Sequence, residues 1–231
     1  RGNGRYPVIR LDQVSRLYRT EAGIVHALRP VDLSIAAGET GLRMRHQAVR
    51  PGRVSLHWLK YGAPVTMTAP EMGGFYLFQF VLGGACEIRH RGQTRLGEGG
   101  KCYVVHPSEP LAKTWDSDCR QLIVKVDRDR FETFASREIG VDVDGRLDFD
   151  FNILPVASGP RCIVEIAEAL RNDAADGRHC MTHPRVTGHL DVTIMSLLLA
   201  SFPHRHSELY DRAGETCAPY YVRRAEEYLH A

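Results

Sequence analysis

The sequence predicts an α+β protein in which a β-sandwich or small barrel precedes a helical segment. Two patterns along the 231 residues indicate this fold class. Between residues 44 and 126, short runs of alternating apolar residues are separated by turns that contain Gly or Pro, which is typical of sandwiches and barrels. After residue 127, apolar residues recur at helical spacing. With 43% hydrophobic and 25% charged residues, the chain can form a packed core and is not intrinsically disordered.

The most apolar predicted strand covers residues 75–82 and ends at Gly83 and Gly84. Other predicted strands also alternate and end at turn residues; they cover residues 54–61, 85–90, 101–106 and 121–126. Because successive side chains of a strand point to opposite faces, Tyr76, Phe78 and Phe80 are expected to share one face.

Three helices are predicted after the strands, over residues 129–139, 162–172 and 187–202. The last is the strongest, because an apolar stripe runs along it and Pro203 stops it. The stripe consists of Val186, Leu190, Ile194, Leu197 and Leu198. Met195 and Leu199 lie off the stripe and would leave apolar surface for a partner helix. The charged residues 207–217 are interpreted as an interdomain linker.

Residues 6–18 and 25–35 predict a β-hairpin beside the main domain. Residues 6–39 resemble the start of an ABC-transporter ATPase, in which Tyr18 would correspond to the aromatic residue that stacks on adenine. Such ATPases continue into a phosphate-binding loop that ends in Gly-Lys-Ser or Gly-Lys-Thr. Neither tripeptide occurs in the chain, so residues 1–43 are interpreted as a leader without a phosphate loop, and nucleotide hydrolysis is not expected.

Several segments together resemble the sensor half of AraC/XylS-type transcription regulators. They include FYLFQF at 75–80, PSEP at 107–110, WDSDCRQLI at 115–123 and YVRRAEEYLH at 221–230. The order of strands and Gly turns resembles the cupin jelly roll. The resemblance implies a cupin-like β-sandwich or jelly-roll barrel as the sensor (residues 44–127) and a helical dimerisation segment (residues 128–206). Residues 207–231 would be a linker and the truncated first helix of a helix-turn-helix domain.

The resemblance also implies a small-molecule effector and a homodimer, with DNA bound only through helix-turn-helix units missing from this chain. The dimer interface would involve Leu190, Ile194, Leu197 and Leu198. The mouth of a small barrel is a common place for a ligand, and such sites are mostly apolar and aromatic. The proposed effector-binding residues are Phe78, Phe80, His106, Trp115, Leu122 and Val124. The alternative is that these side chains only fill the core.

An enzymatic role is not expected, and no cofactor or metal is predicted. Cupin metal sites need two closely spaced His on one strand, whereas His90 is followed by Arg91 and Gly92. Asp116 and Asp118 are typical turn residues, and Cys119 has no base nearby in the sequence. The alternative function is a cupin-like metalloenzyme or a small-molecule-binding module.

Charge and hydropathy limit the partners further. The net charge of +2 argues against a strongly basic nucleic-acid surface. No apolar run reaches the roughly 18 residues of a membrane span, and no signal peptide is recognised. We therefore expect a cytoplasmic protein whose six scattered cysteines are reduced thiols.

Overall fold

The computed structural model describes residues 7–20, 23–37, 43–143, 147–177 and 179–215. Strands dominate the first half of this part of the chain. They are β1 (Pro7–Thr20), β2 (Gly23–Ala37), β3 (Arg45–Val49), β4 (Ser55–Lys60), β5 (Val65–Ala69), β6 (Phe75–Gly83), β7 (Ala85–His90), β8 (Gln93–Glu98), β9 (Lys101–Val105), β10 (Leu111–Trp115), β11 (Arg120–Asp127) and β12 (Leu154–Pro155).

The strands form two six-stranded antiparallel sheets. The first sheet has the order β1-β2-β5-β10-β7-β8, and the second has the order β12-β9-β6-β11-β4-β3. Consecutive strands such as β6 and β7 lie in different sheets, because the chain turns sharply at Gly84, which has a φ of 66°. The predicted cupin-like sandwich is therefore confirmed.

The N-terminal hairpin extends the first sheet. β1 and β2 pair with each other, and β2 pairs with β5 from Ser34 opposite Thr68 to Ala37 opposite Val65. The hairpin is therefore continuous with the sandwich through backbone hydrogen bonds.

Within the described residues, four helices follow β11: α1 (Arg128–Ile139), α2 (Arg161–Ala175), α3 (Pro184–Ser201) and α4 (Ser207–Glu215). β12 and a 3₁₀ turn at Val156–Ser158 lie between α1 and α2. The side chain of Asp127 accepts a hydrogen bond from the Arg130 N–H at 3.1 Å, which caps the start of α1. Gly140, at a φ of 81°, ends the same helix.

The linker interpretation of residues 207–217 was wrong for α4. Tyr210 anchors this helix, since its hydroxyl donates a hydrogen bond to the Ser196 carbonyl at 3.2 Å and its ring contacts His204. Tyr210 is half-buried against the main core, so α4 is attached to the helical layer through this residue. The predicted helix after residue 218 lies outside the described residues.

The larger of two apolar cores lies between the second sheet and the helices. Phe78 projects from β6 into this core, and its ring centroid lies 5.2 Å from that of Phe149 and 5.0 Å from that of Phe202. Phe131 of α1 stacks on Phe149. The helices are therefore packed on the outer face of the second sheet, outside the space between the two sheets.

The buried face of α3 differs from the predicted stripe. Met195 and Leu199 are buried in the chain's own core, as are Ile194 and Leu198. Val186 is 38% exposed, because packing on the sheet rotates the helix relative to the stripe read from the sequence. Met195 and Leu199 are consequently not available to a partner helix, contrary to the prediction.

Candidate functional site

A buried lysine lies at the centre of the space between the two sheets. Lys113 of β10 is only 2% exposed. Its ammonium donates hydrogen bonds to Gln79 Oε1 and, at 2.9 Å, to Gln121 Oε1, both on the opposite sheet. Within the described part of the chain no carboxylate pairs with it. Burial therefore lowers the pKa of Lys113 to about 8.

Aromatic rings cover the ammonium on two sides. Its Nζ lies 4.5 Å from the ring centroid of Trp115 and 5.2 Å from that of Tyr103. These cation–π contacts replace part of the hydration that the charge loses. The hydroxyl of Tyr103 donates to Gln79 Oε1 at 2.9 Å, which holds the glutamine in place.

Trp115 adds an unused donor to this cluster. Its indole Nε1–H is buried and has no hydrogen-bond partner in the structure. Most buried donors in proteins are paired, so an unpaired one next to a buried cation marks a position where an acceptor atom can bind. Lys113 and Trp115 therefore place two buried donors on one face of β10.

Two thiols complete the interior cluster. Gln121 Nε2 donates to Cys86 Sγ at 3.2 Å. The hydrogen bond from Cys119, followed by the charge of Lys113, lowers the pKa of Cys86, while the same hydrogen bond and burial raise the pKa of Cys119. We refer to Gln79, Cys86, Tyr103, Lys113, Trp115, Cys119 and Gln121 as the interior cluster.

Of the six proposed effector-binding residues, Trp115 alone belongs to the interior cluster. Phe78, Phe80, Leu122 and Val124 lie on the opposite face of the second sheet, in the core under the helices. The prediction that they line the barrel was wrong, because helices cover this face and make it as apolar as a barrel interior. His106 lies at the end of β9, where its Nδ1 accepts the Ser108 N–H at 3.3 Å and burial lowers its pKa.

Lys113, Gln79 and Gln121 were not among the site residues predicted from the sequence. The available signal was a polar residue inside an otherwise apolar strand, as at Gln79 between Phe78 and Phe80. Such a residue faces away from the aromatic set by strand alternation. Leu77 and Val81 share the face of Gln79 and belong to the smaller apolar core between the sheets, so Gln79 is a buried polar residue within that core.

The other residues considered for chemistry have structural roles. His90 Nε2 accepts the His106 N–H at 3.0 Å, and its Nδ1 lies 3.1 Å from the Pro110 carbonyl. The Asp116 carboxylate accepts the backbone N–H groups of Ala85 and Asp118 in a turn. Among the residues that the structure describes, no group of three or more His, Cys, Asp or Glu is arranged to hold a metal ion.

A groove of about 610 Å³ lies outside the sandwich, between the second sheet and α2. Four cationic side chains and one carboxylate line it: Arg45, Lys60, Arg120, Arg171 and Glu168. Volumes of this size are typical of small-molecule sites. Across the described residues, no helix has the length and apolar character needed to span a membrane.

The chain was compared with known proteins in three ways. A family model described as the AraC-binding-like domain matches residues 21–199. No curated protein matches the sequence significantly. Among solved structures, the AraC-like transcriptional activator CuxR is similar over 86% of this chain and 69% of its own, at 10% identity and a TM-score of 0.46.

Two cupin structures are also similar. The Cnp3 cupin domain of Schizosaccharomyces pombe aligns over 56% of this chain and 95% of its own, at 11% identity and a TM-score of 0.32. A Cupin 2 conserved barrel domain protein from Salinispora arenicola aligns over 42% and 90%, at 18% identity and a TM-score of 0.30. At these scores we take the family from the sequence model alone.

The family model spans β2, the rest of the sandwich and the helices as far as Leu199. Its match from residue 21 onward overlaps the segment that resembled an ABC-transporter ATPase, and no comparison supports that resemblance. The model covers more than half of the chain. The chain belongs to the AraC-binding-like domain family.

Proposed function

We propose that the chain is the effector-sensing part of an AraC-type transcription regulator and that the effector binds at the interior cluster. In this proposal residues 44–127 are the sensor and residues 128–206 carry the dimer contacts. DNA is bound by helix-turn-helix units beyond residue 231, and strands β1 and β2 form a strand pair of the sensor sheet. The protein acts in the cytoplasm and has no catalytic role.

The observation that carries the proposal is the Lys113 ammonium, buried between the sheets without a carboxylate partner in the described part of the chain. A buried charge with only amide acceptors is costly, and an anionic or carbonyl oxygen would stabilise it. The unpaired Nε1–H of Trp115 supplies a second donor on the same strand. The effector is therefore a small molecule with a carboxylate or carbonyl oxygen that accepts from both groups.

Effector binding regulates by differential affinity for two conformations of the sensor. The interior cluster joins both sheets, because Lys113 lies on the first and Gln79 and Gln121 lie on the second. A ligand oxygen that replaces a glutamine acceptor would change how the sheets are held together. This provides a route from the ligand to the helices on the outer face of the second sheet.

The homodimer is proposed on the exposed side of α3. Ile194 and Leu198 are buried in the core of their own chain. Leu190 and Leu197 are only half-buried. Together with exposed Val186, which shares their face of α3 at helical spacing, they form the apolar surface that a second copy would cover. Light scattering at micromolar concentration should give the mass of two chains, and Val186→Glu should give the mass of one.

Ligand binding is tested by thermal shift with a panel of small carboxylates, keto acids and sugars. A compound that stabilises the wild type is then measured on Lys113→Met, which removes the ammonium but keeps a side chain of similar length, and on Trp115→Phe, which removes the indole N–H but keeps an aromatic ring. Loss of the shift in both variants, but not in Lys101→Met, supports the interior cluster as the site. A shift that survives in Lys113→Met and Trp115→Phe would refute it.

A further inference from the structure

Three cations stand in one row across the second sheet. Arg45 of β3 lies directly opposite Lys60 of β4, and Lys60 lies directly opposite Arg120 of β11. Side chains opposite each other on adjacent antiparallel strands have Cβ atoms roughly 5 Å apart, and like charges there destabilise the pairing. Three in succession therefore constitute a concentrated positive charge inside the groove.

The row continues to Gly83 of β6, which pairs with Arg120. A Cβ atom built on Gly83 would lie 2.7 Å from Nη2 of Arg120 and 3.1 Å from its Nε. The guanidinium of Arg120 therefore lies flat over Gly83, in space that any other residue would occupy. Because Gly83 has no side chain, the Arg120 guanidinium can lie against the sheet inside the groove.

The nearby carboxylates leave most of this charge without a partner. Glu168 accepts the Trp58 Nε1–H at 2.9 Å and pairs with Arg171. Asp118 is 3.9 Å from Lys60, with 84% of its side chain exposed, so its contribution is small. Within the described residues no carboxylate forms an ion pair with Arg45 or Arg120.

We propose that the row Arg45, Lys60 and Arg120 binds a small molecule that carries two or more phosphate or carboxylate groups. Guanidinium groups bind such oxygens through two parallel hydrogen bonds, and the ammonium between them adds a point charge. The groove volume of about 610 Å³ accommodates a ligand of drug size. This site lies on the outer face of the second sheet, and of the interior cluster only Gln121 also lines the groove.

The test uses inorganic pyrophosphate and citrate as probes in isothermal titration calorimetry at low salt. Pyrophosphate reports phosphate recognition, and citrate reports recognition of carboxylates in general. Arg120→Gln is expected to raise Kd at least about tenfold for the probe that binds, since it removes a charge-assisted pair. Gly83→Ala should weaken binding similarly by displacing the Arg120 guanidinium, although Arg120 itself is unchanged.

Two control variants separate this site from general charge and from the interior cluster. Arg137→Gln removes an equal charge on α1, outside this groove, and Lys113→Met alters only the interior. Both should leave Kd within about twofold.

In the absence of ligand, Arg120→Gln should raise the melting temperature at low salt, because it relieves repulsion within the row.

Equal weakening by Arg120→Gln and Arg137→Gln would overturn the proposal, since it would reduce the effect to overall charge. The proposal would also be overturned if neither probe gave a heat of binding and neither probe changed the melting temperature of the wild type. Loss of binding in Lys113→Met alone would assign the anion to the interior cluster and refute the row as its site. Binding lost in Arg120→Gln and Gly83→Ala only would establish the row.

Discussion

The buried charge of Lys113 predicts a specific dependence of stability on pH. Burial lowers the pKa of this lysine from 10.5 to about 8 in the folded state. Since one pKa unit equals about 1.4 kcal/mol, the shift corresponds to about 3 kcal/mol of folding free energy. Below pH 8 both folded and unfolded chains hold the proton, so the folded state carries the full penalty.

As the pH rises from about 8 toward 10.5, the folded state releases this proton first, while the unfolded state still holds it. The unfolded state then binds more protons, so the free energy of unfolding increases with pH. The loss of the Lys113 proton should raise the free energy of unfolding by about 2–3 kcal/mol between pH 7 and pH 10. Lys113→Met abolishes this contribution, because it has no proton to lose.

Urea unfolding of the wild type, Lys113→Met and the control Lys101→Met at both pH values measures this effect. The free energy of unfolding of the wild type minus that of Lys113→Met should be about 2–3 kcal/mol larger at pH 10 than at pH 7. Titrating groups away from Lys113 are shared by the proteins and largely cancel in the difference, whereas Cys86, whose pKa the charge of Lys113 lowers, also contributes to it. A difference that stays constant with pH, or that resembles the Lys101→Met control, would refute a charged, buried Lys113.

Substitutions at Phe78, Asp191 and Gly84 test the packing by the same unfolding assay. Phe78→Ala should cost about 3–5 kcal/mol, because its fully buried ring contacts three phenylalanine rings on the helical side; a loss under about 1 kcal/mol would contradict that packing. Asp191→Ala should cost about 2–4 kcal/mol by leaving two backbone N–H groups of the loop before β4 without their acceptor, and Asp191→Asn should cost less. Gly84→Ala should destabilise more than Gly92→Ala: both have positive φ, but only at Gly84 would the new Cβ lie 2.4 Å from another backbone nitrogen. Equal losses for the two glycines would exclude this clash.

The sandwich could be predicted because its strands alternate and its turns use Gly and Pro, both of which are local properties. The helices over Arg128–Ile139 and Arg161–Ala175 were predictable for the same reason. The helix Ser207–Glu215 was not, because its anchor is a tertiary contact between Tyr210 and the end of α3. Sequence periodicity reports which residues share a face, but not what covers that face.

That distinction explains the error in the candidate site. Phe78 and Phe80 were correctly placed on one face of a strand, yet the apolar layer facing them comes from helices and not from the opposite sheet. The other face of the same strand, with Leu77, Gln79 and Val81, lines the interior of the sandwich. Only the pairing of two sheets and the position of the helices decide which face is the interior.

Strand β11 contributes to both proposed sites and to the main core. Arg120 at its start lines the outer groove, Gln121 accepts from Lys113 between the sheets, and Leu122 packs under the helices. A substitution that alters the packing of β11, such as Leu122→Ala, would therefore disturb both sites together and could not separate them. Lys113→Met and Arg120→Gln each change one charge at one face of the sheet, so a ligand that responds to only one of them identifies its site.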